Sequence, residues 1–140
     1  MNKFLALDTH WLTIGELVRR AKGPMSVDVS DDCWALLARA RAVVDDHAQR
    51  NVAVYGLTTG LGSNVSQRVE PINDGRLEEK IVLGRLVGIG EPLSPKICRA
   101  AFALRLFGLA KGAAGVSPSV IQVMVEMMNA DILPAIPSFC

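Results

Sequence analysis

Residues 101–109 read Ala-Phe-Ala-Leu-Arg-Leu-Phe-Gly-Leu, and residues 120–128 read Val-Ile-Gln-Val-Met-Val-Glu-Met-Met. Each stretch would be apolar on most sides of a helix, which is typical of helices in the middle of a core. Ser94-Pro95 and Ser117-Pro118 precede them, and serine followed by proline is a favourable helix start. The sequence therefore predicts two central helices. Few helices remain to cover them, so we expect the chain either to oligomerise or to belong to something longer.

Helix-start signals elsewhere complete an all-α prediction. Thr13-Ile14-Gly15-Glu16 has the form of a capping box, and Ser30 or Asp31 fits as the N-cap of a long amphipathic helix. The helices are expected at about 13–23, 31–50, 74–87, 95–111 and 118–130, with residues 132–140 extended. Between the second and third helices, residues 51–55 are β-like and lead into a glycine-rich loop.

Composition and charge exclude several classes of function. The chain has 140 residues, a net charge of +1 and a mean hydropathy of +0.29. These values fit one globular unit and give no electrostatic basis for binding nucleic acid or an anionic membrane. The apolar run 100–110 contains Arg105 and is too short to span a membrane. We also expect no signal peptide, because the first residues lack a long apolar stretch.

Cysteine and histidine spacing predicts neither a disulfide framework nor a metal site. Cys33, Cys98 and Cys140 are widely spaced and form no Cys-x-x-Cys pair. His10 and His47 are far apart in sequence and have no partner at metal-ligand spacing. We therefore expect no bound metal and a reducing, cytoplasmic location.

The loop Val54–Gly62 reads Val-Tyr-Gly-Leu-Thr-Thr-Gly-Leu-Gly and contains the only tyrosine of the chain, Tyr55. Gly56, Gly60 and Gly62 permit positive φ angles and close approach of the backbone to another group. A phenol on a mobile glycine loop is suited to acid–base chemistry over a substrate. The loop by itself also fits a surface connector between helices, with a half-buried tyrosine at its root.

Arg85 is a second candidate site residue, because it interrupts the apolar segment Ile81–Ile89. A cation inside such a helix needs either a partner or a water-lined cavity. Alternatively, its aliphatic stem packs while the guanidinium reaches solvent. These residues alone leave a pocket role and a solvent-reaching arginine equally open.

Five segments in order and register resemble the N-terminal part of the aromatic amino acid ammonia-lyases and their aminomutase relatives. Besides the loop, they are Gly88-Ile89-Gly90-Glu91-Pro92-Leu93, Arg99-Ala100-Ala101 leading to Leu104-Arg105-Leu106, Leu109–Val116, and Pro134-Ala135-Ile136-Pro137-Ser138. The resemblance extends from about Leu12 to Ser138. It implies that residues 1–140 are the N-terminal segment of a larger helical-bundle lyase fold and not an independent domain.

The resemblance implies non-oxidative elimination of ammonia from an aromatic L-amino acid such as histidine, or a 2,3-aminomutase reaction that uses the same motifs. Tyr55 matches the family's catalytic loop tyrosine, and Gly56 and Gly60 match the glycines that let it move. The positions expected to bind substrate are Gly62, Leu61, Gly84 and Arg85. The family also implies a homotetramer that acts on a small-molecule amino acid, with active sites built from several subunits.

The sequence departs from the family pattern at three points. The family's electrophile, a methylidene-imidazolone, forms from an internal Ala-Ser-Gly, and none occurs in these 140 residues. Gly84-Arg85 stands where the family commonly has Ser-His or Phe-Leu, and an arginine there suits an acidic or strongly hydrogen-bonding substituent. Leu61 replaces a common phenylalanine, which is expected to loosen the packing of the loop.

Two interpretations remain open from the sequence. In the first, the chain is part of an active lyase and supplies Tyr55 and one wall of the pocket. In the second, it is a non-catalytic remnant that acts at most in helical subunit association. The chain alone is expected to be inactive, and to fold poorly or associate strongly because its central helices lack covering partners.

Overall fold

The computed structural model describes residues 4–7, 12–69 and 76–139, and five α-helices and four short strands form within them. In chain order they are β1 (Phe4–Leu7), α1 (Ile14–Arg20), β2 (Ser26–Val29), α2 (Asp31–Gln49), α3 (Arg76–Leu83), β3 (Ile89–Pro92), α4 (Pro95–Ala110), α5 (Pro118–Asn129) and β4 (Pro137–Phe139). One short 3-10 helix, Gly62–Asn64, lies between α2 and α3. The helical class expected from the sequence is confirmed, with the strands as additions to it.

Side-chain caps hold the starts of α1 and α2. Thr13 Oγ1 accepts a hydrogen bond from the amide of Glu16 at 3.3 Å, and the Glu16 carboxylate accepts one from the amide of Thr13 at 3.2 Å. This reciprocal pair is the capping box expected from the sequence. Ser30 Oγ accepts from the amide of Cys33 at 3.2 Å and begins the long helix α2.

Proline stands in the first turn of α4 and of α5. Pro95 and Pro118 have no amide hydrogen, so these starts leave one fewer donor to satisfy. Both starts agree with the Ser-Pro pairs in the sequence. The expected caps of α3, Asn73 and Asp74, lie outside the described residues.

The core lies where α4 and α5 pack against each other and against β2. Its buried side chains include Leu7, Met25, Val27, Leu37, Leu106, Phe107, Ile121, Val125 and Met128. The two most apolar helices are therefore central, as expected. Each also has an exposed apolar face, which includes Leu104 on α4 and Val123 on α5.

A parallel pair of strands completes the core at the start of the chain. β1 and β2 align Leu5 with Val27 and Leu7 with Val29. On the other edge of β2, the side chain of Asn129 bonds both backbone groups of Val27, accepting from the amide at 2.7 Å and donating to the carbonyl at 3.0 Å. Asn129 thus takes the place of a further strand and ties the end of α5 to the sheet.

A partly buried ion pair connects α4 with the turn after α5, and its arginine also bonds the end of α1. Arg99 on α4 is 6% exposed, and its guanidinium donates to Asp131 Oδ1 at 2.9 and 3.0 Å and to Oδ2 at 3.1 Å. A fourth bond runs from Arg99 to the carbonyl of Ala21, at the end of α1, at 3.0 Å. The pair therefore fixes α1 and the turn after α5 against α4.

The tail of the chain returns to the segment that follows α3. β3 and β4 form an antiparallel pair with Ile89 opposite Phe139 and Pro92 opposite Pro137. The amide of Leu93 also donates to the carbonyl of Ile136 at 2.8 Å. Consequently the chain immediately after Arg85 is anchored to the tail, which the sequence predicted only to be extended.

Candidate active site

The glycine-rich loop begins with a tight turn around the carbonyl of Val54. That carbonyl accepts from the amides of Leu57 and Thr58 at 3.1 Å and from the amide of Thr59 at 3.2 Å. The β-like segment expected at residues 51–55 does not form a strand. An isolated bridge between Tyr55 and Thr59 stands in its place, because the chain turns back immediately after Val54.

Tyr55 lies in this turn with 63% of its surface exposed, more than in the surface-connector interpretation, which had a half-buried tyrosine. Its phenolic oxygen accepts a hydrogen bond from the amide of Gly62 at 3.1 Å. The loop therefore folds back over itself, with the phenol held against its far end. A phenol can donate a hydrogen bond as well as accept one, so this contact uses its acceptor side only.

Close packing explains two of the three loop glycines. Gly56 has φ +71°, and a Cβ there would lie 2.8 Å from Leu61 Cδ2. A Cβ on Gly60 would lie 2.6 Å from the carbonyl oxygen of Asn64. Leu61 thus packs over Gly56, and the loop is compact with leucine at this position. Movement of the loop around Gly56 and Gly60 stays a prediction.

The loop borders a cavity of about 430 Å³. Its described lining comes from the loop, from the chain that follows it and from the end of α3: Gly56, Leu57, Thr59, Gly60, Leu61, Asn64, Gln67, Val69, Ile81 and Arg85. The cavity therefore brings together Leu61 and Arg85, two of the residues expected to bind substrate. Tyr55, Gly62 and Gly84 lie beside this lining and not in it.

Arg85 lies beyond the helix in which the sequence had placed it. α3 ends at Leu83 instead of about Val87, and Gly84 follows directly, a residue that commonly ends helices. Arg85 is exposed, and one guanidinium nitrogen donates to the carbonyl of Ile81 at 3.0 Å. It is thus not a cation buried in an apolar helix but an exposed cation at the edge of a cavity.

Sequence reasoning missed three polar residues of this region. Asn64 and Gln67 line the cavity, because the 3-10 helix turns the chain back toward the loop. Thr58 is completely buried although its neighbours in the loop are exposed or half-buried. No pattern in the sequence separates Thr58 from Thr59, since burial depends on how the turn folds.

The described residues hold no group of three or more potential metal ligands. His47 lies on α2 with Nδ1 2.8 Å from the carbonyl of Val43, and His10 lies outside the part of the chain that the structure describes. The 140 residues contain no Ala-Ser-Gly. No helix among the described residues is long and apolar enough to cross a membrane.

Comparison with curated proteins identifies related enzymes. The chain is 36% identical over 136 residues to histidine ammonia-lyase from Homo sapiens, covering 96% of this chain and 20% of that protein. It is 32% identical over 135 residues to histidine ammonia-lyase from Streptomyces coelicolor, covering 96% of this chain and 26% of that protein. The chain thus spans about a fifth to a quarter of the length of these relatives.

Comparison with solved structures identifies proteins that contain the same fold as this chain. Tyrosine aminomutase from Streptomyces globisporus superposes with a TM-score of 0.89 at 29% identity, covering 97% of this chain and 26% of that one. Residues 12–140 match the family described as aromatic amino acid lyase. That match covers nearly the whole chain, and we therefore identify the chain as a member of the aromatic amino acid lyase family.

Proposed function

We propose that this chain forms part of an aromatic amino acid ammonia-lyase, in which Tyr55 is the catalytic base. The observation that carries the proposal is the position of Tyr55, whose phenol lies on the glycine loop that borders the cavity. The substrate is a small aromatic L-amino acid such as histidine. The similarity of this chain to histidine ammonia-lyases supports histidine as the substrate.

The reaction class requires a base at this place. Elimination of ammonia breaks the Cα–N bond and a Cβ–H bond and leaves a carbon–carbon double bond, so one group must accept the β proton. A side chain positioned for such a proton transfer contributes roughly 10²- to 10⁴-fold to the rate. Tyr55 has an exposed phenol that is held in place by the Gly62 amide, and we assign it this role.

The electrophile of the family is not part of this chain's contribution. Ala-Ser-Gly, from which the methylidene-imidazolone forms, is absent from the 140 residues. This chain would supply the base and one wall of the pocket to a longer polypeptide. We further propose that the longer protein is a cytoplasmic homotetramer, as the family resemblance implies.

The first experiment determines how the reading frame continues past Cys140 and then tests Tyr55 by substitution. If the reading frame continues past Cys140 into an Ala-Ser-Gly, the full-length product is purified and its ammonia release from histidine, tyrosine and phenylalanine is measured. Tyr55→Phe keeps the ring and removes the hydroxyl, and should lower kcat roughly 10²- to 10⁴-fold with an unchanged circular dichroism spectrum. A stop codon after Cys140, or a fully active Tyr55→Phe variant, would contradict the proposal.

Arg85 is proposed to select the substrate. Arg85 lines the cavity, as do Asn64 and Gln67, and an arginine favours an acidic or strongly hydrogen-bonding substituent on the substrate ring. Arg85→His in the full-length protein should shift the preference among histidine, tyrosine and phenylalanine. Arg68→His is the matched control, because Arg68 is exposed, bonds Asn51 and lies outside the cavity lining. Unchanged preference in Arg85→His would exclude this role.

An aminomutase is a second candidate, supported by the likeness to tyrosine aminomutase. An aminomutase returns the amino group to the β carbon, whereas a lyase releases ammonia and the unsaturated acid. Chromatography of the products of the full-length protein distinguishes the two. A β-amino acid as the main product would favour the aminomutase.

A non-catalytic association module is the third candidate, supported by an exposed apolar strip. The strip consists of Leu86, Val87, Ile89 and Phe139, all exposed. Sedimentation of the 140-residue chain should show association if the strip binds a second copy. Ile89→Thr together with Phe139→Thr should then shift the chain toward the monomer. A monomer with cooperative unfolding before any substitution would exclude this candidate.

A further inference from the structure

Thr58 is one of two buried polar or charged side chains among the described residues, and the other is Arg99. It has no exposed surface, although it lies in a loop whose neighbouring tyrosine is largely exposed. A hydroxyl in such a place costs free energy unless it is hydrogen-bonded. The bonds that satisfy Thr58 therefore indicate what the residue is for.

Both bonds of the Thr58 hydroxyl go to the chain that leads into Tyr55. Oγ1 accepts from the amide of Val54 at 2.9 Å and donates to the carbonyl of Val52. The hydroxyl thus bridges two backbone groups within three residues of the phenol. A methyl group in its place would leave the Val54 amide and the Val52 carbonyl without this partner.

The backbone of Thr58 holds the same segment from the other side. Its amide donates to the carbonyl of Val54 at 3.1 Å, and its carbonyl accepts from the amide of Val69 at 3.0 Å. Val54 is therefore bonded through its amide and its carbonyl, and Tyr55 is the next residue. The position of the Tyr55 backbone depends on Thr58 more than on any other side chain of the described loop.

We propose that Thr58 is the positioning residue for Tyr55, an inference that rests on the proposed role of Tyr55 as base. Thr58 does not touch the substrate in this assignment. It fixes residues 52–54, so that the phenol is presented at a constant place beside the cavity. A displacement of about 1 Å at a reacting group costs roughly 10²-fold in rate, so the hydroxyl has a measurable catalytic effect.

The test compares two substitutions at Thr58 in the full-length protein. Thr58→Val keeps the shape and removes the hydroxyl, and should lower kcat by roughly 10- to 100-fold with KM changed less than about threefold. Thr58→Ser keeps the hydroxyl and should restore kcat to within about threefold of the original. Ser66→Ala is the control, because it removes a hydroxyl from the same region of the chain at an exposed position outside the cavity lining.

A second measurement does not depend on activity. Hydrogen exchange of residues 54–62, followed by mass spectrometry, should be faster in Thr58→Val and unchanged in Thr58→Ser, because the amides bonded to Val54 lose their support. Unchanged exchange and kcat in Thr58→Val, with Tyr55→Phe inactive, would overturn the role of Thr58 alone. A fully active Tyr55→Phe would overturn the proposed base, and the role of Thr58 with it. Equal losses of kcat in Thr58→Val and Thr58→Ser would show that Thr58 is merely structural.

Discussion

The core around α4 and the cavity beside the glycine loop each contain an arginine, and the two differ in burial and bonding. Arg99 is 6% exposed and makes three bonds to Asp131 and one to the carbonyl of Ala21. Arg85 is exposed and bonds the carbonyl of Ile81, in the helix that precedes it. The core arginine has its charge matched within the fold, whereas the cavity arginine is placed where a ligand can reach it.

The difference separates an arginine that holds the fold together from one that borders the candidate site. Arg99 belongs to a segment that carried the family resemblance, and its bonds give it a purely structural reason to be there. Arg85 is exposed and its guanidinium bonds only a backbone carbonyl of the preceding helix in the described contacts, which gives it little structural reason for being arginine. Substitutions at the two sites should therefore affect different quantities, the free energy of unfolding in one case and the substrate preference in the other.

Removal of Asp131 should have the largest effect on stability. Asp131→Gly keeps a residue that tolerates the observed φ of +54° and leaves the Arg99 charge buried without its partner. Breaking such a pair costs roughly 3 to 5 kcal/mol, and we expect about 3 kcal/mol because the Asp131 side chain is itself 37% exposed. Urea unfolding followed by circular dichroism, at concentrations where sedimentation shows no association, measures the change.

The control for this prediction is Asp131→Asn. Asparagine also tolerates positive φ and keeps one oxygen acceptor for Arg99. Asp131→Asn should therefore lower the free energy of unfolding clearly less than Asp131→Gly does. If Asp131→Gly lowers the free energy of unfolding by less than about 1 kcal/mol, the pair does not hold the fold together as argued.

Removal of the Asn129 side chain should have the next largest effect. Asn129→Ala leaves the amide and carbonyl of Val27 without their partner, and Val27 is 2% exposed. Unsatisfied buried groups cost roughly 1 to 3 kcal/mol, and we expect about 2 kcal/mol in the same urea experiment. Gln122→Ala is the matched control on α5, because Gln122 bonds only Glu126 on the exposed face, and should change stability by less than about 0.5 kcal/mol.

Substitution of Arg85 should leave stability nearly unchanged. Arg85→Met keeps the length of the stem and removes the bond to the Ile81 carbonyl. Substitutions at exposed positions usually change the free energy of unfolding by less than about 0.5 kcal/mol. A loss comparable to that of Asp131→Gly would mean that Arg85 is structural after all, and the contrast between the two regions would fail.

The sequence predicted those parts of the fold that local signals specify. The cap at Thr13 and the Ser-Pro starts act within one helical turn, so they are visible without knowledge of the tertiary structure. The strands are four residues long or shorter, and β3 pairs with β4 from the far end of the chain. Such pairing leaves no local pattern. The end of α3 was misplaced because Leu86 and Val87 continue the apolar spacing, although both are exposed.

The candidate site also contains some residues that the sequence identified and others that only the folded structure brings into place. The family resemblance, and not the glycine loop alone, singled out Tyr55. The burial of Thr58 and the place of Asn64 in the cavity lining depend on how the loop turns, which two similar threonines and a run of small residues do not specify. The partner of Arg99 lies 32 residues later in sequence and needs a left-handed backbone at Asp131. No spacing rule predicts such a contact.

The capping box of α1 gives the smallest expected effect, and that effect depends on pH. Hydrogen bonds from Thr13, with lesser help from Arg19 and Arg20, lower the pKa of Glu16 below its ordinary value of 4.5. The folded chain therefore favours the ionised carboxylate, and this stabilisation is present above pH 4.5 and is lost as the pH falls through the lowered pKa. Glu16→Gln keeps a capping side chain without the charge. The unfolding midpoints of the original chain and of Glu16→Gln should therefore converge as the pH falls from 6 toward 3.

Thr13→Ala should weaken the same pH dependence, because it removes the hydroxyl bonded to the carboxylate at 2.7 Å. A constant difference between the midpoints across that range would mean that the charge of Glu16 does not contribute to the cap.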